Sequence, residues 1–226
     1  MTLNPVTMSP SGNQLLREFI HAQLRLDILS CTLLPGTELR EGELAARFQV
    51  SKSPVRDALM RLEREGLIHL SPRQGYRVAP IALSDVRDMF HLREALERAC
   101  LERIVAQATN EQLQALDHFR SFIAAEWEGG FIAYNRAFHL ALAETAGNGR
   151  IYTLLGELID QMERVVRVSV SNVKRGVPDG LVAEHCQIID ALQARQLKRA
   201  ERLAARHIAS AAKRVHAGIA RFVVVA

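Results

Sequence analysis

One continuous stretch, Leu39–Val78, constrains the fold of this chain more than any other: LREGELAARFQVSKSPVRDALMRLEREGLIHLSPRQGYRV. It opens with an amphipathic segment, Glu41–Phe48, whose apolar positions Leu44, Ala45 and Phe48 share one helical face. Gln49-Val50-Ser51 interrupts the pattern. A second amphipathic segment then runs to Glu65, with Val55, Leu59 and Leu62 inward and Arg56, Arg61 and Arg64 largely outward. Gly66 ends it, and two short runs, Leu67–Leu70 and Tyr76–Ala79, flank a Ser-Pro-Arg-Gln-Gly turn. Helix, tight turn, helix and small hairpin make the outline of a winged helix-turn-helix, which presents one helix end and one hairpin tip to DNA.

The local chemistry agrees. Ser51 is the expected N-cap of the second helix, and Pro54 falls in its first turn, where a missing N–H costs little. Ser51, Lys52, Ser53 and Arg56 therefore cluster where free backbone N–H groups and the helix dipole favour phosphate. Lys52 and Arg56 can also reach guanine O6 and N7. Arg73 stands at the hairpin tip, where Gly75 allows close backbone approach. With Arg40 at the start of the helix pair, these seven residues are the candidate contacts to double-stranded operator DNA. From Arg40 to Arg77 there are eight Lys/Arg against five Asp/Glu, a modest basic excess.

The run VSKSPVRDALMRLEREGLIHLSPRQGYRV resembles the DNA-binding half of the GntR family of bacterial transcription regulators. The family pattern is Val-Ser-Arg-Thr-Pro-Val-Arg-Glu-Ala-Leu, then Arg-Leu-Glu, an acidic-Gly-Leu step and a Gly-aromatic in the wing. Lys52 departs from the usual Arg and Ser53 from Thr, and Gly42 stands where some members carry a side chain that contacts DNA. A point-charge Lys in place of a planar guanidinium implies a looser or different base readout.

A chain of 226 residues has room for one larger domain or two modest ones, and 48% apolar with 24% charged residues marks it as globular. The formal net charge of +4 says little about partners by itself. Cys31, Cys100 and Cys186 are odd in number and widely spaced, which suits a reducing compartment and buried apolar roles. No apolar run approaches the roughly 18 residues of a membrane span, and the N-terminus lacks a secretory apolar region. The expectation is a cytoplasmic protein with no membrane contact.

Residues 1–11 read as a flexible tail, 12–79 as the winged helix-turn-helix domain, and 80–226 as an all-helical effector-binding and dimerisation domain. The first helix is expected over Gln14–Leu29, with Leu15, Phe19, Leu26 and Leu29 on or near one stripe. After Pro80, with Ser84 as N-cap, helices are expected at about 84–108, 110–127, 130–146, 148–171, 179–196 and 197–222, with Asn172–Gly180 a loop. The fold class is mainly α, a winged helix-turn-helix followed by a bundle of about six helices.

That bundle carries a second constellation. Asn135 and His139 lie at i and i+4 on a face continued by Phe131 and Leu142. His185 lies between Leu181 and Ile188–Leu192, and His207 one turn beyond Leu203. Three inward imidazoles and a short oxygen-bearing side chain can form a metal site with open positions, or can be separate hydrogen-bonded core residues. Spacing alone leaves both open.

The helical half is similar to the ligand-binding (FCD-type) domain of the FadR branch of GntR regulators. The resemblance rests on Leu92-Arg93-Glu94-Ala95-Leu96-Glu97, on Phe138-His139-Leu140-Ala141-Leu142 with Ala146-Gly147-Asn148, and on Glu184-His185 and Arg206-His207-Ile208. Many members hold a divalent metal with three His and an Asp four residues before the first, and the metal receives a carboxylate effector. The resemblance implies a zinc-, nickel- or manganese-like ion at His139, His185 and His207, with Asn135 at the Asp position. Asn offers a neutral carbonyl oxygen, so metal affinity should fall while geometry can persist. Arg93 is either a ligand for the effector carboxylate or a surface pair with Glu97, beside an apolar side made of Leu92, Ala95, Leu96 and Ala99. A homodimer on a near-palindromic operator is expected, since one winged domain reads only a half-site.

Three functions are compatible with these residues. One is a transcription regulator controlled by a small organic acid at a metal. Another is the same regulator with a metal-free pocket, or with a domain that only dimerises. The last is a metalloenzyme with Glu144 or Glu184 as base, although Glu184 is adjacent to His185 on a helix and so faces elsewhere. An enzyme would leave the winged motif without a purpose.

Overall fold

The computed structural model describes residues 13–71, 75–170 and 179–223. The expected tail at 1–11, Arg73 at the wing tip and most of the expected Asn172–Gly180 loop lie outside the described residues. The chain divides into two compact units, Met1–Ile81 and Ala82–Ala226.

The first unit contains α1 (Asn13–Leu29), β1 (Glu38–Leu39), α2 (Glu41–Phe48), α3 (Lys52–Arg64), β2 (Ile68–Ser71) and β3 (Gly75–Val78). The strands form an antiparallel sheet in the order β1-β3-β2, with Leu39 opposite Tyr76 and Ile68 opposite Val78. β1 is only two residues long, too short for an alternation to announce it in sequence. Gly75 has φ +85°, and a Cβ there would stand 3.3 Å from the Leu39 carbonyl oxygen. Glycine is thus required by the close approach of β1 as well as by the turn.

The core is built by Ile20, Leu24 and Ile28 of α1, Leu44 and Phe48 of α2, and Val55, Leu59 and Leu62 of α3, all essentially inaccessible. Burying each such side chain contributes about 1.5–3 kcal/mol. The inner stripe of α1 differs from the expected one, because Leu15 and Leu26 are exposed. Ile20, Leu24 and Ile28 repeat every four residues, and Leu26 stands about 200° from Leu24 on a helix with apolar residues on both sides. Ser51 occupies the N-cap position of α3 with extended backbone (φ −70°, ψ 165°) but makes no side-chain cap bond. Its hydroxyl stays available.

The second unit contains α4 (Leu83–Gln107), α5 (Asn110–Ala115), α6 (Gly130–Thr145), α7 (Gly149–Val170), α8 (Asp179–Gln193) and α9 (Leu197–Val223). α9 packs on α4, α7 and α8, while α4 and α6 also touch. α4 starts after Ala82, with no cap from Ser84. The continuous helix expected over 110–127 breaks into α5 and two short 3₁₀ turns, Leu116–Phe119 and Ala124–Glu126. The physical reason is visible at Phe119. Its carbonyl oxygen accepts the Tyr134 hydroxyl at 2.6 Å instead of an amide four residues on, and the chain folds Phe119, Phe122 and Trp127 around the Tyr134 ring.

Cys100 is buried as expected, whereas Cys31 and Cys186 are only partly so, and none forms a disulfide among the described residues. No described helix is long and apolar enough to cross a membrane.

Candidate metal centre and nucleic-acid interface

Three histidines from three helices converge inside the second unit. His139 of α6, His185 of α8 and His207 of α9 are 0%, 0% and 1% exposed, and each offers a ring nitrogen within 4.8 Å of the others. Ring centroids stand 5.6 Å apart for 139–185, 5.3 Å for 139–207 and 4.9 Å for 185–207. Phe138 stacks on His185 at 3.8 Å and closes that side. Asn135 is half-buried, one helical turn before His139.

Each ring is turned by a partner at Nδ1. The Tyr134 hydroxyl spends its proton on the Phe119 carbonyl, so it accepts from His185 Nδ1 at 3.1 Å. Glu184 Oε2 accepts from His207 Nδ1 at 2.7 Å. Glu97 Oε1 lies 3.0 Å from His139 Nδ1, off the line of a good hydrogen bond. These partners place a proton on Nδ1 of His185 and His207, and the Glu97 carboxylate favours the same arrangement for His139. Carboxylates and hydroxyls behind imidazoles are the usual way in which metal-binding His rings are oriented.

His185 Nε2 is buried and has no hydrogen-bond partner among the described residues. Leaving a buried acceptor unmade costs roughly 1–3 kcal/mol. Burial drives His185 far below the ordinary imidazole value, with His139 and His207 adding to the effect. Burial, with the Arg93 charge beside it, brings His139 down to about 4. Both rings are therefore neutral near pH 7, the form that ligates metal. Convergent imidazole nitrogens, one of them orphaned, are a donor set that fits a divalent transition-metal ion.

Arg93 is neither on the surface nor on the side that the apolar neighbours suggested. It is 5% exposed and Glu97 1%, whereas Leu92 faces out. Its Nε donates to Glu97 Oε1 at 2.7 Å, and its Nη2 donates to His139 Nε2. Burial alone would raise the Glu97 carboxyl, but His139 and Arg93 outweigh it and hold the group well below the usual carboxylate range. Arg93, Glu97, Cys100, Leu101 and Ile104 make the true inner face of α4.

Sequence reasoning missed Tyr134 as a ring partner, although it lies five positions before His139. It also placed Glu184 elsewhere. Glu184 does diverge from His185 around α8, but α9 brings His207 to meet it.

In the first unit, Ser51, Lys52, Ser53 and Arg56 are exposed at the start of α3, and Arg40 is exposed just before α2. Arg56 is held bidentately by Glu41 of α2, Nε–Oε1 at 2.9 Å and Nη2–Oε2 at 2.7 Å. Arg40 bonds to Glu38 at 3.1 Å and to Glu43 at 3.4 Å. The Lys52 stem crosses Gly42, its Cε 3.9 Å from where a Cβ would stand. Behind α3, Glu65 gathers His21 at 2.7 Å and Arg25 at 3.2 Å, tying the helix to α1.

The comparisons agree with both halves. Residues 16–78 match "Bacterial regulatory proteins, gntR family" and residues 88–210 match the FCD domain. The chain is 32% identical over 210 residues to the uncharacterized HTH-type transcriptional regulator YdfH of Escherichia coli O6:H1, covering 91% of this chain and 88% of that protein. It is also 32% identical over 193 residues to the HTH-type transcriptional repressor RspR of Escherichia coli K12, covering 84% of each. The structure of E. coli McbR/YncC superposes with a TM-score of 0.72 over 89% of this chain and 97% of that one at 19% identity, a likeness of fold. The chain belongs to the GntR family, with an FCD domain behind its helix-turn-helix, and is a DNA-binding transcriptional regulator rather than an enzyme.

Proposed function

We propose that this regulator holds a divalent ion, zinc-, nickel- or manganese-like, at His139, His185 and His207, with Asn135 as a neutral fourth ligand, and that a small organic acid completes the site. The observation that carries the reading is the orphaned, buried Nε2 of His185 in a cluster where His139 and His207 each offer a ring nitrogen within 4.8 Å. When bound, the ion supplies a positive centre for one carboxylate, and Arg93 supplies a guanidinium for the same group. Acid binding biases the helical unit between two packings, and a homodimer transmits that bias to the paired winged domains on a near-palindromic operator. Arg40, Ser51, Lys52, Ser53, Arg56, Arg73 and Gly75 form the contact surface for that operator, with Lys52 and Arg56 reading bases. The setting for such a switch is the cytoplasm.

One observation favours a second reading, a metal-free acid pocket: Arg93 already uses the lone pair of His139. Operator binding by chelated and by metal-loaded protein, each titrated with a panel of small carboxylic acids, separates the two. The metal reading expects a response from loaded protein alone. An equal response from chelated protein supports the metal-free pocket instead.

A further inference from the structure

The contact between Arg93 and His139 has a consequence for how the site fills. His139 Nε2 has one lone pair, and here it accepts from Arg93 Nη2. The same nitrogen is the one that a bound ion needs, because Nδ1 is turned towards Glu97. His139 cannot serve both at once. The other two rings show no such contact among the described residues: His185 Nε2 has no hydrogen-bond partner, and the hydrogen bond of His207 is at Nδ1, to Glu184.

Arg93 is also built to let go without leaving. Its Nε is anchored separately on Glu97 at 2.7 Å, and that carboxylate is 1% exposed. Among the described residues its hydrogen bonds are these two, from a group with five N–H donors. A guanidinium released from His139 therefore keeps its tether and its charge balance, and turns its planar fork of donors to a new acceptor. A carboxylate is the acceptor which matches that fork.

We propose that Arg93 is an exchangeable cation: it occupies His139 Nε2 while the site holds no ion, yields that nitrogen when a divalent ion binds, and thereby becomes available to the acid. This rests on the metal reading above and adds an order to it, ion before acid. It also makes the two ligands reciprocal, since each strengthens the other by the same factor.

The test uses the full-length protein stripped of metal, with Zn²⁺ as the probe ion and acetate as the probe acid. In ¹⁵N-arginine-labelled wild type, the Arg93 side-chain resonances are identified by their loss in Arg93→Lys. One equivalent of Zn²⁺ should shift the Nη signals strongly while leaving Nε hydrogen-bonded. In competition with a chromophoric chelator, Arg93→Met should bind Zn²⁺ about tenfold more tightly than wild type, and acetate should tighten Zn²⁺ in wild type more than in Arg93→Met. Zn²⁺ that binds wild type yet leaves the Arg93 signals unmoved overturns the exchange and leaves the metal reading standing. Equal Zn²⁺ affinity in the two proteins does the same. Zn²⁺ that binds neither protein overturns the metal reading itself. If loss of the Glu97 partner prevents Arg93→Met from folding, the wild-type titration decides alone.

Discussion

Arg56 and Arg93 each hold a glutamate with a closest N–O distance of 2.7 Å, one across α2 and α3 and one along α4. Their surroundings are opposite. The Arg56 and Glu41 side chains are 57% and 25% exposed, those of Arg93 and Glu97 only 6% and 1%. Water screens the first pair, so separating Arg56 from Glu41 costs little, as the proposed DNA contact would require. The second pair sits where a charge without its partner is severely penalised. The same bond is therefore a loose surface pair in one unit and part of the buried framework in the other. Exposure decides which.

The sharpest way to break this comparison is to remove the glutamate from each pair. Glu97→Ala is expected to destabilise the protein by roughly 3–5 kcal/mol, because it leaves a buried guanidinium unpaired. Glu41→Ala should leave the melting temperature nearly unchanged. Chemical denaturation of both variants checks this, and equal losses would erase the distinction.

The next effect is on operator binding. Arg56→Ala is expected to weaken binding to the native operator about tenfold to a hundredfold at fixed salt, with the fold intact. Mobility-shift titrations read it, and an unchanged affinity would remove Arg56 from the contact surface.

How far these assignments were legible differs between the two units. In the first, every element that matters is set by neighbours in sequence. The spacing of Leu44, Ala45 and Phe48, the break at Gln49 and the stripe Val55, Leu59 and Leu62 place α2 and α3 correctly, and the structure buries all six of these apolar residues. What failed there was the side of α1 and the two-residue β1, where the pattern was ambiguous or too short. In the second unit the helices were legible but their inner faces were not. Arg93 and Glu97 lie inside because each satisfies the other and His139, a compensation invisible until α4 and α6 meet. The break in the 110–127 helix likewise depends on Tyr134, fifteen residues from the carbonyl that it captures. Spacing could nominate His139, His185 and His207, but only the packing of α6, α8 and α9 brings them together.

Acid should expose the same contrast more gently. The His139 value is held near 4 in the folded protein against an ordinary 6.5. The unfolded chain therefore binds the extra proton between those values, and stability rises with pH across that window. The contribution is complete above pH 6.5 and is lost as pH falls towards 4, with His185 shifted in the same direction. Metal-free protein should accordingly melt at a lower temperature at pH 5 than at pH 7, and His139→Gln should flatten the slope. A slope that His139→Gln leaves unaltered would place the pH response elsewhere.

The central claim is that three buried imidazoles exist to hold an ion. Metal content per chain, measured on protein purified without added metal, tests it most directly, with His185→Ala as the paired sample. The account predicts close to one divalent ion per wild-type chain and almost none in folded His185→Ala. Wild type and His185→Ala carrying the same trace of metal would contradict it.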